Sequence, residues 1–254
     1  MDNAARNGYL DVVKWLHAHR YEGCTTEAMD AAAANGHLKV VQWLHRNRSE
    51  GCTKKAMDSA TENGHLEVVV RWLRSNRSEG CTTKAMDGAA ANGNFNMLRW
   101  LHENIHAGCT SDAMDRAARL GRLDIVEWLH SKRLPGCSPR ASVDAAAKGN
   151  LNILKWLHLN LPESLAAEAL EDAAARGHLH VVKWLLRSTP GNHFELALAG
   201  AVAWGEFEAA LYLQAHQQPR NPSSPDRTDS PYTELHPDIQ NWILEYYGEA
   251  GLPA

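Results

Sequence analysis

Residues 24–51 read CTTEAMDAAAANGHLKVVQWLHRNRSEG, and the same string returns along the chain at a fixed period. Its glycine, Gly36, has counterparts at Gly8, Gly64, Gly93, Gly121, Gly149, Gly177 and Gly205, spaced by 28 residues with one step of 29. Seven residues after the glycine stands Trp15, Trp43, Trp100, Trp128, Trp156, Trp184 or Tyr212. Trp72 comes eight after Gly64, because VVVRWL replaces VVxWL there and adds a residue near Val70. Cys24, Cys52, Cys81, Cys109 and Cys137 each follow a repeat tryptophan by nine residues. Self-similarity at such a period marks a repeat protein, in which a unit too small to bury its own apolar face buries it against its neighbours. It also explains the 9 tryptophans against 3 phenylalanines, since seven of the nine are one choice of residue copied with its repeat and only Trp204 and Trp242 lie elsewhere.

Within the unit, TEAMDAAAAN is rich in alanine, the best helix former, and stops at Asn35-Gly36, two residues that tolerate left-handed backbone. Thr25 stands before it as an N-cap, as do Thr53, Thr82, Thr110 and Ser138 in their units. HLKVVQWLHRN then carries Leu38, Val40, Val41, Trp43 and Leu44. That apolar spread is too wide for a surface helix and suits contacts with the hairpin partner and with adjacent units. Each unit is therefore predicted to be a helix-turn-helix hairpin and the chain all-α. Eight units should fill residues 1–216 as an α-solenoid, the last of them degenerate. At roughly 10 Å per unit the stack would extend about 80 Å.

The flanks depart from the pattern. The cysteine position becomes Leu165 and then His193, and the eighth unit, ELALAGAVAWGEFEAALYL, keeps the period while losing most identities, as terminal repeats do. Residues 217–234 read as a Pro/Ser-rich linker. Residues 235–254 read as a C-terminal amphipathic helix and tail, with Leu235, Ile239, Trp242, Ile243 and Tyr246 at helical spacing, Pro237 in the first turn and Gly248 at the stop. This helix either caps the solenoid, which would cover its Trp-Ile stripe, or docks onto a partner. At the other end the first unit starts at Met1-Asp2, inside the AMD motif. Either the chain is a piece of a longer protein or its first helix is short and frayed.

Composition narrows the function. With 26 basic and 30 acidic residues and a net charge of −4, the chain lacks the basic excess of an electrostatic nucleic-acid or anionic-membrane binder. The N-terminus shows no basic and apolar leader, and no run of 18 apolar residues occurs. Five cysteines without a CxxC pair argue against a disulfide framework, so an intracellular, cytoplasmic location is expected, with the nucleus left open. Neither GxGxxG nor GxxxxGK[ST] appears, and no nucleophile stands beside an obvious His and acid. No catalytic residue, cofactor or metal is assigned.

Three periodic residue types admit competing readings. The tryptophans would make stacking platforms for nucleic-acid bases, but they lie among the apolar positions of the second helix without a basic stripe, which favours packing with the indole edge near polar atoms. The cysteines follow His17, His45, His102 and His130 by seven residues, which suggests a metal ladder. Equivalent atoms in successive units stand roughly 10 Å apart, whereas disulfides want Cα atoms within about 7 Å and zinc ligands lie about 2.0–2.3 Å from a shared ion. A small buried hydrophobe at a turn is the better reading. Asp2, Asp30, Asp58, Asp87 and Asp115 form either an acidic ribbon or a structural series serving the helix dipole and nearby donors, the latter being favoured. The series lapses at Val143 and Ala199.

The string xAMDxAAxNGHLxVVxWLH resembles the ankyrin repeat, whose pattern runs TPLHxAAxxGHxxVVxLLL. Ala32, Ala33, Gly36, His37, Val40 and Val41 fall on its A-A, G-H and V-V positions, and Trp43 and Leu44 replace paired leucines. EAMD replaces TPLH, and the period is shorter than the usual one of about 33. The missing residues fall where ankyrin repeats carry a projecting β-turn finger, so finger-tip contacts should be absent or reduced. The resemblance implies a protein-interaction scaffold without catalytic residues. It also implies that His37, His65 and His178, after the repeat glycine, hydrogen-bond backbone near the turn between units.

Variation between units points to a surface. Positions nine and five before the glycine share a helix face and read Glu27/Ala31, Lys55/Ser59, Lys84/Gly88, Asp112/Arg116, Arg140/Asp144 and Glu168/Asp172. The sign changes along the row, which is either a recognition surface or a solvated face free to drift. The leading expectation is a monomeric, non-enzymatic scaffold binding another protein along this first-helix face, with no nucleic acid and no membrane involved. The alternatives are the substrate-recruiting region of a larger enzyme or complex, and a thiol and histidine metal ladder.

Overall fold

A computed structural model describes residues 1–64, 67–188, 194–217 and 237. The chain divides into two compact units, residues 1–138 and 139–254. The first holds five hairpins: α1 (Asp2–Arg6) with α2 (Leu10–His19), α3 (Thr26–Ala34) with α4 (Leu38–Asn47), α5 (Lys54–Glu62) with α6 (Glu67–Asn76), α7 (Thr83–Ala91) with α8 (Phe95–Asn104), and α9 (Ser111–Arg119) with α10 (Leu123–Ser131). The second holds α11 (Arg140–Ala147) with α12 (Leu151–Asn160), a 3-10 turn at Pro162–Ser164, α13 (Glu168–Ala175) with α14 (Leu179–Ser188), and α15 (Phe194–Ala203) with α16 (Phe207–Gln217). Every regular element among the described residues is helical, in keeping with the all-α repeat reading. His65, His193, the linker beyond Gln217 and the expected C-terminal helix with Trp242 lie outside the described residues, except for Pro237.

The hairpin turn is a Schellman motif. The Gly36 N–H donates to Ala33 O at 3.0 Å and the His37 N–H to Ala32 O at 2.9 Å, with Gly36 at φ +75°. Only the glycine is left-handed. Asn35, at φ −103°, stays outside that region, so the sequence reading of this residue is corrected. Its side chain donates to Ala31 O at 3.0 Å and to Arg6 O of the preceding hairpin at 3.2 Å. The glycine is required for a second reason as well. A Cβ on Gly8 would stand 2.6 Å from the His37 ring, and one on Gly149 3.0 Å from the His178 ring. The following hairpin thus lays a side chain over bare backbone.

Thr25, Thr53, Thr82 and Thr110 cap their helices, each Oγ1 accepting the amide two residues on at 3.2 Å. Before α11, Pro139, at φ −55°, already has the geometry of a helix start, and the helix runs from Arg140. The core lies between the helix layers. Val40, Val41 and Leu44, then Met97, Leu98 and Leu101, then Ile125, Val126 and Leu129 are buried in the first unit, alongside the alanines of the first helices. Ile153, Leu154, Leu157, Val181, Val182 and Leu185 repeat the arrangement in the second.

Candidate functional site

The AMD aspartates face the next hairpin, not solvent. Asp30, Asp58, Asp87 and Asp115 are only 5%, 6%, 8% and 5% exposed, so they form no acidic ribbon. Thr53 donates its N–H and hydroxyl to Asp30 at 2.7 and 2.7 Å, and Thr82 to Asp58 at 2.8 and 2.7 Å. Thr110 donates to Asp87 at 2.8 and 2.9 Å, and Ser138 to Asp115 at 2.8 and 2.6 Å. Because the threonine hydroxyl donates its hydrogen bond to the carboxylate, a lone pair of Oγ1 is left facing the helix amide that it caps. Where the series lapses in the second unit, buried Ser142 substitutes, its Oγ accepting the Ala166 N–H at 2.9 Å.

Burial pushes the Asp87 carboxyl above its ordinary pKa, against the opposing pull of the two Thr110 hydrogen bonds. The folded protein then holds this proton more tightly than the unfolded chain does. Its stabilising contribution is full below the ordinary aspartate pKa of about 3.9 and is lost as pH rises through the folded value. As pH rises from about 4 to about 7, the parent is therefore expected to lose stability relative to Asp87→Asn in urea unfolding, whatever the offset between the two at low pH. A change in the opposite direction would refute this sign.

The tryptophans and histidines interlock between hairpins. His17 meets Trp43 edge to face with ring centroids 5.2 Å apart, His45 meets Trp72 at 5.2 Å and His102 meets Trp128 at 5.3 Å. In the second unit His158 meets Trp184 at 5.6 Å. Arg71 lies over Trp100 at 5.7 Å, and Lys183 over Tyr212 at 5.0 Å. These contacts occupy the rings within the repeat array and turn the histidines toward tryptophan. His178 fulfils the expectation for the residue after the glycine, its Nε2 lying 3.1 Å from Ala147 O of the preceding hairpin.

The thiols are sheltered. Arg48, paired with Glu50 through Nε and Oε2 at 3.1 Å, lies over Gly23 beside Cys24. Arg77, paired with Glu79, repeats this over Gly51 beside Cys52. Burial pushes Cys52, Cys81 and Cys109 up to about 11, keeping them protonated and poorly nucleophilic at neutral pH. Among the described residues no three His, Cys, Asp or Glu side chains come together to hold a metal ion.

The variable first-helix residues fall into one row per unit. In the first, Glu27 pairs with Arg6 of α1 at 2.9 Å, Lys55 and Lys84 are exposed, and Arg116 lies 3.8 Å from Asp112. Arg6 was not legible as part of the row, although its opposite charge one hairpin before Glu27 was a usable signal. In the second unit Arg140 lies 3.5 Å from Asp144 and Glu168 is exposed. Burial raises the pKa of half-buried Asp172, with Arg176 opposing and Glu171 and Asp144 reinforcing the shift. Position five is not uniformly a surface: Ala31 and Gly88 are buried. A Cβ on Gly88 would stand 2.8 Å from Glu62 Cα, so α7 rests there on the backbone of α5.

Alanine-rich first helices, apolar second helices and glycine turns, repeated hairpin by hairpin, define a helical repeat protein of the ankyrin-like kind. Residues 1–45 match the family model described as ankyrin repeats (many copies). No curated protein matches the chain. Ankyrin repeats are generally protein–protein interaction modules. No helix among the described residues is long and apolar enough to cross a membrane.

Proposed function

We propose that the chain is a non-catalytic scaffold that holds a partner protein along its first-helix rows. The contacting residues are Glu27, Lys55, Lys84, Asp112 and Arg116 in the first unit, and Arg140, Asp144, Glu168 and Asp172 in the second. One contrast supports this reading. Asp, Thr, Gly, His and Trp recur because they join hairpins, whereas the position nine before the glycine is exposed at Lys55, Lys84, Asp112, Arg140 and Glu168 and changes sign between hairpins. A surface that varies over a constant scaffold can recognise shape and charge without changing the fold.

Reversing Lys55, Lys84, Asp112 and Arg116 together is expected to weaken partner binding about tenfold or more and to leave the melting temperature unchanged. The measurement is titration of the partner recovered by affinity capture on the intact chain. Unchanged affinity would reject the surface.

A further inference from the structure

Charge that nearly cancels over the whole chain does not cancel in the first unit. Residues 1–138 hold 18 basic and 16 acidic residues, whereas residues 139–254 hold 8 and 14. Four of the first unit's acids are the buried clamp aspartates, so its surface carries a larger cationic excess than its net charge. Part of that excess gathers on the second helices α4, α6 and α8, where Lys39, Arg46, Arg71, Arg74 and Arg99 are all exposed. Glu67 and Glu103 are the acids of these three helices, Glu103 lying 3.7 Å from Arg99. The next second helix, α10, carries Asp124 and Glu127 and neither lysine nor arginine, which bounds the patch.

The patch centres on a departure from the repeat. Two residues after the tryptophan stand His17, His45, His102 and His130, but the third hairpin has Arg74 there, and it has Arg71 before its tryptophan where the second hairpin has Gln42. The edge-to-face contact of histidine and tryptophan at the neighbouring junctions is replaced: Arg71 lies over Trp100 at 5.7 Å, and Arg74 Nε stands 3.5 Å from Asn104 O at the end of α8. Both guanidiniums thus reach the seam between α6 and α8, whose other side carries Arg99 next to Trp100. Lys39, Arg46 and Arg74 meet no carboxylate among the described residues. Like charges three apart on a helix repel. Arg71 and Arg74 therefore serve packing less well than the Gln and His of the second hairpin, and an anion seated between them would relieve the repulsion.

We propose that this second-helix face binds an acidic segment of a partner protein, its carboxylates taken by Arg71, Arg74 and Arg99 and flanked by Lys39 and Arg46. A guanidinium holds a carboxylate through two parallel N–H···O bonds, which suits arginine over lysine at the centre of the patch. With neighbouring helices roughly 10 Å apart, α4 to α8 covers about 20 Å, the length of about six residues of extended chain. A nucleic acid fits less well, because bases need open aromatic faces on which to stack, whereas Trp72 is engaged by His45 and Trp100 by Arg71. The patch shares no residue with the first-helix rows, so each surface can be tested with the other intact.

The test is fluorescence anisotropy of a labelled oligoglutamate peptide titrated with the full chain at low salt, where the parent should bind and its affinity should fall as salt is added. Arg71→Gln with Arg74→His installs the residues that the second hairpin carries at these places and should weaken binding about tenfold. Arg99→Gln, on α8, is a second variant with the same expected direction. Lys55→Gln with Lys84→Gln removes an equal charge from the first-helix rows and should change the affinity less than about twofold. Melting temperatures equal to the parent's certify that the variants are folded. A parent that does not bind the peptide, Arg71 and Arg74 substitutions that leave its affinity unchanged, equal losses from the two double variants, or an oligothymidylate of equal charge bound more tightly than the peptide would each overturn the proposal.

Discussion

The quadruple variant Asp30→Ala, Asp58→Ala, Asp87→Ala and Asp115→Ala is expected to unfold the first unit at room temperature. Each carboxylate is buried and accepts two hydrogen bonds from the next hairpin's Thr or Ser, at 2.6–2.9 Å. Hydrogen bonds to a charged group are worth about 1.5–3 kcal/mol, and a misoriented cap costs about 1 kcal/mol. Partial rehydration of the exposed threonines offsets some of this, which leaves about 2 kcal/mol per clamp. The clamps sit at separate junctions, so their costs should nearly add to about 8 kcal/mol, within the 5–15 kcal/mol that holds a whole domain folded. Asp2→Ala is the internal control: its bonds to Thr25, at 3.1 and 2.7 Å, are exposed, and its loss should cost under about 0.5 kcal/mol. Urea unfolding followed by far-UV circular dichroism measures both. A quadruple variant with the parent's midpoint would show that the junctions hold without their carboxylates.

What was legible in the sequence was whatever depends on one hairpin. The period located every turn glycine, alanine enrichment located the first helices, and Thr25, Thr53, Thr82 and Thr110 marked four caps that the structure forms. What was less legible depends on two hairpins at once. The aspartates were rightly assigned a structural role, but their partners are 23 or 24 residues away, and periodicity cannot say which neighbouring copy a side chain reaches. The histidines preceding the cysteines by seven residues suggested shared metal ligands. For His17, His45 and His102 the neighbour in the structure is the tryptophan of the next hairpin, a pairing hidden because His and Cys sit at one fixed spacing within the repeat. Close helix approach removed Ala31 and Gly88 from the expected surface, a property that charge patterning does not encode.

Trp128→Ala should cost about 3 kcal/mol and Trp15→Ala under about 1 kcal/mol, although both residues occupy the same repeat position. Trp128 is half-buried and takes the His102 edge at 5.3 Å and the Phe95 edge at 5.9 Å. Removing it forfeits buried indole area and two aromatic pairs, each worth about 0.5–1.5 kcal/mol. Trp15 is 52% exposed and stacks only on His19 within its own helix, so truncation leaves little new cavity. The double variant His102→Ala and Trp128→Ala should then cost less than the sum of its parts by about 1 kcal/mol, because one contact cannot be lost twice. Equal costs at Trp15 and Trp128, measured by urea unfolding, would mean that the tryptophan acts within its own hairpin. Unequal costs without coupling to His102 would place its energy in the aliphatic contacts of the second helix and deny the histidine any part in joining the hairpins.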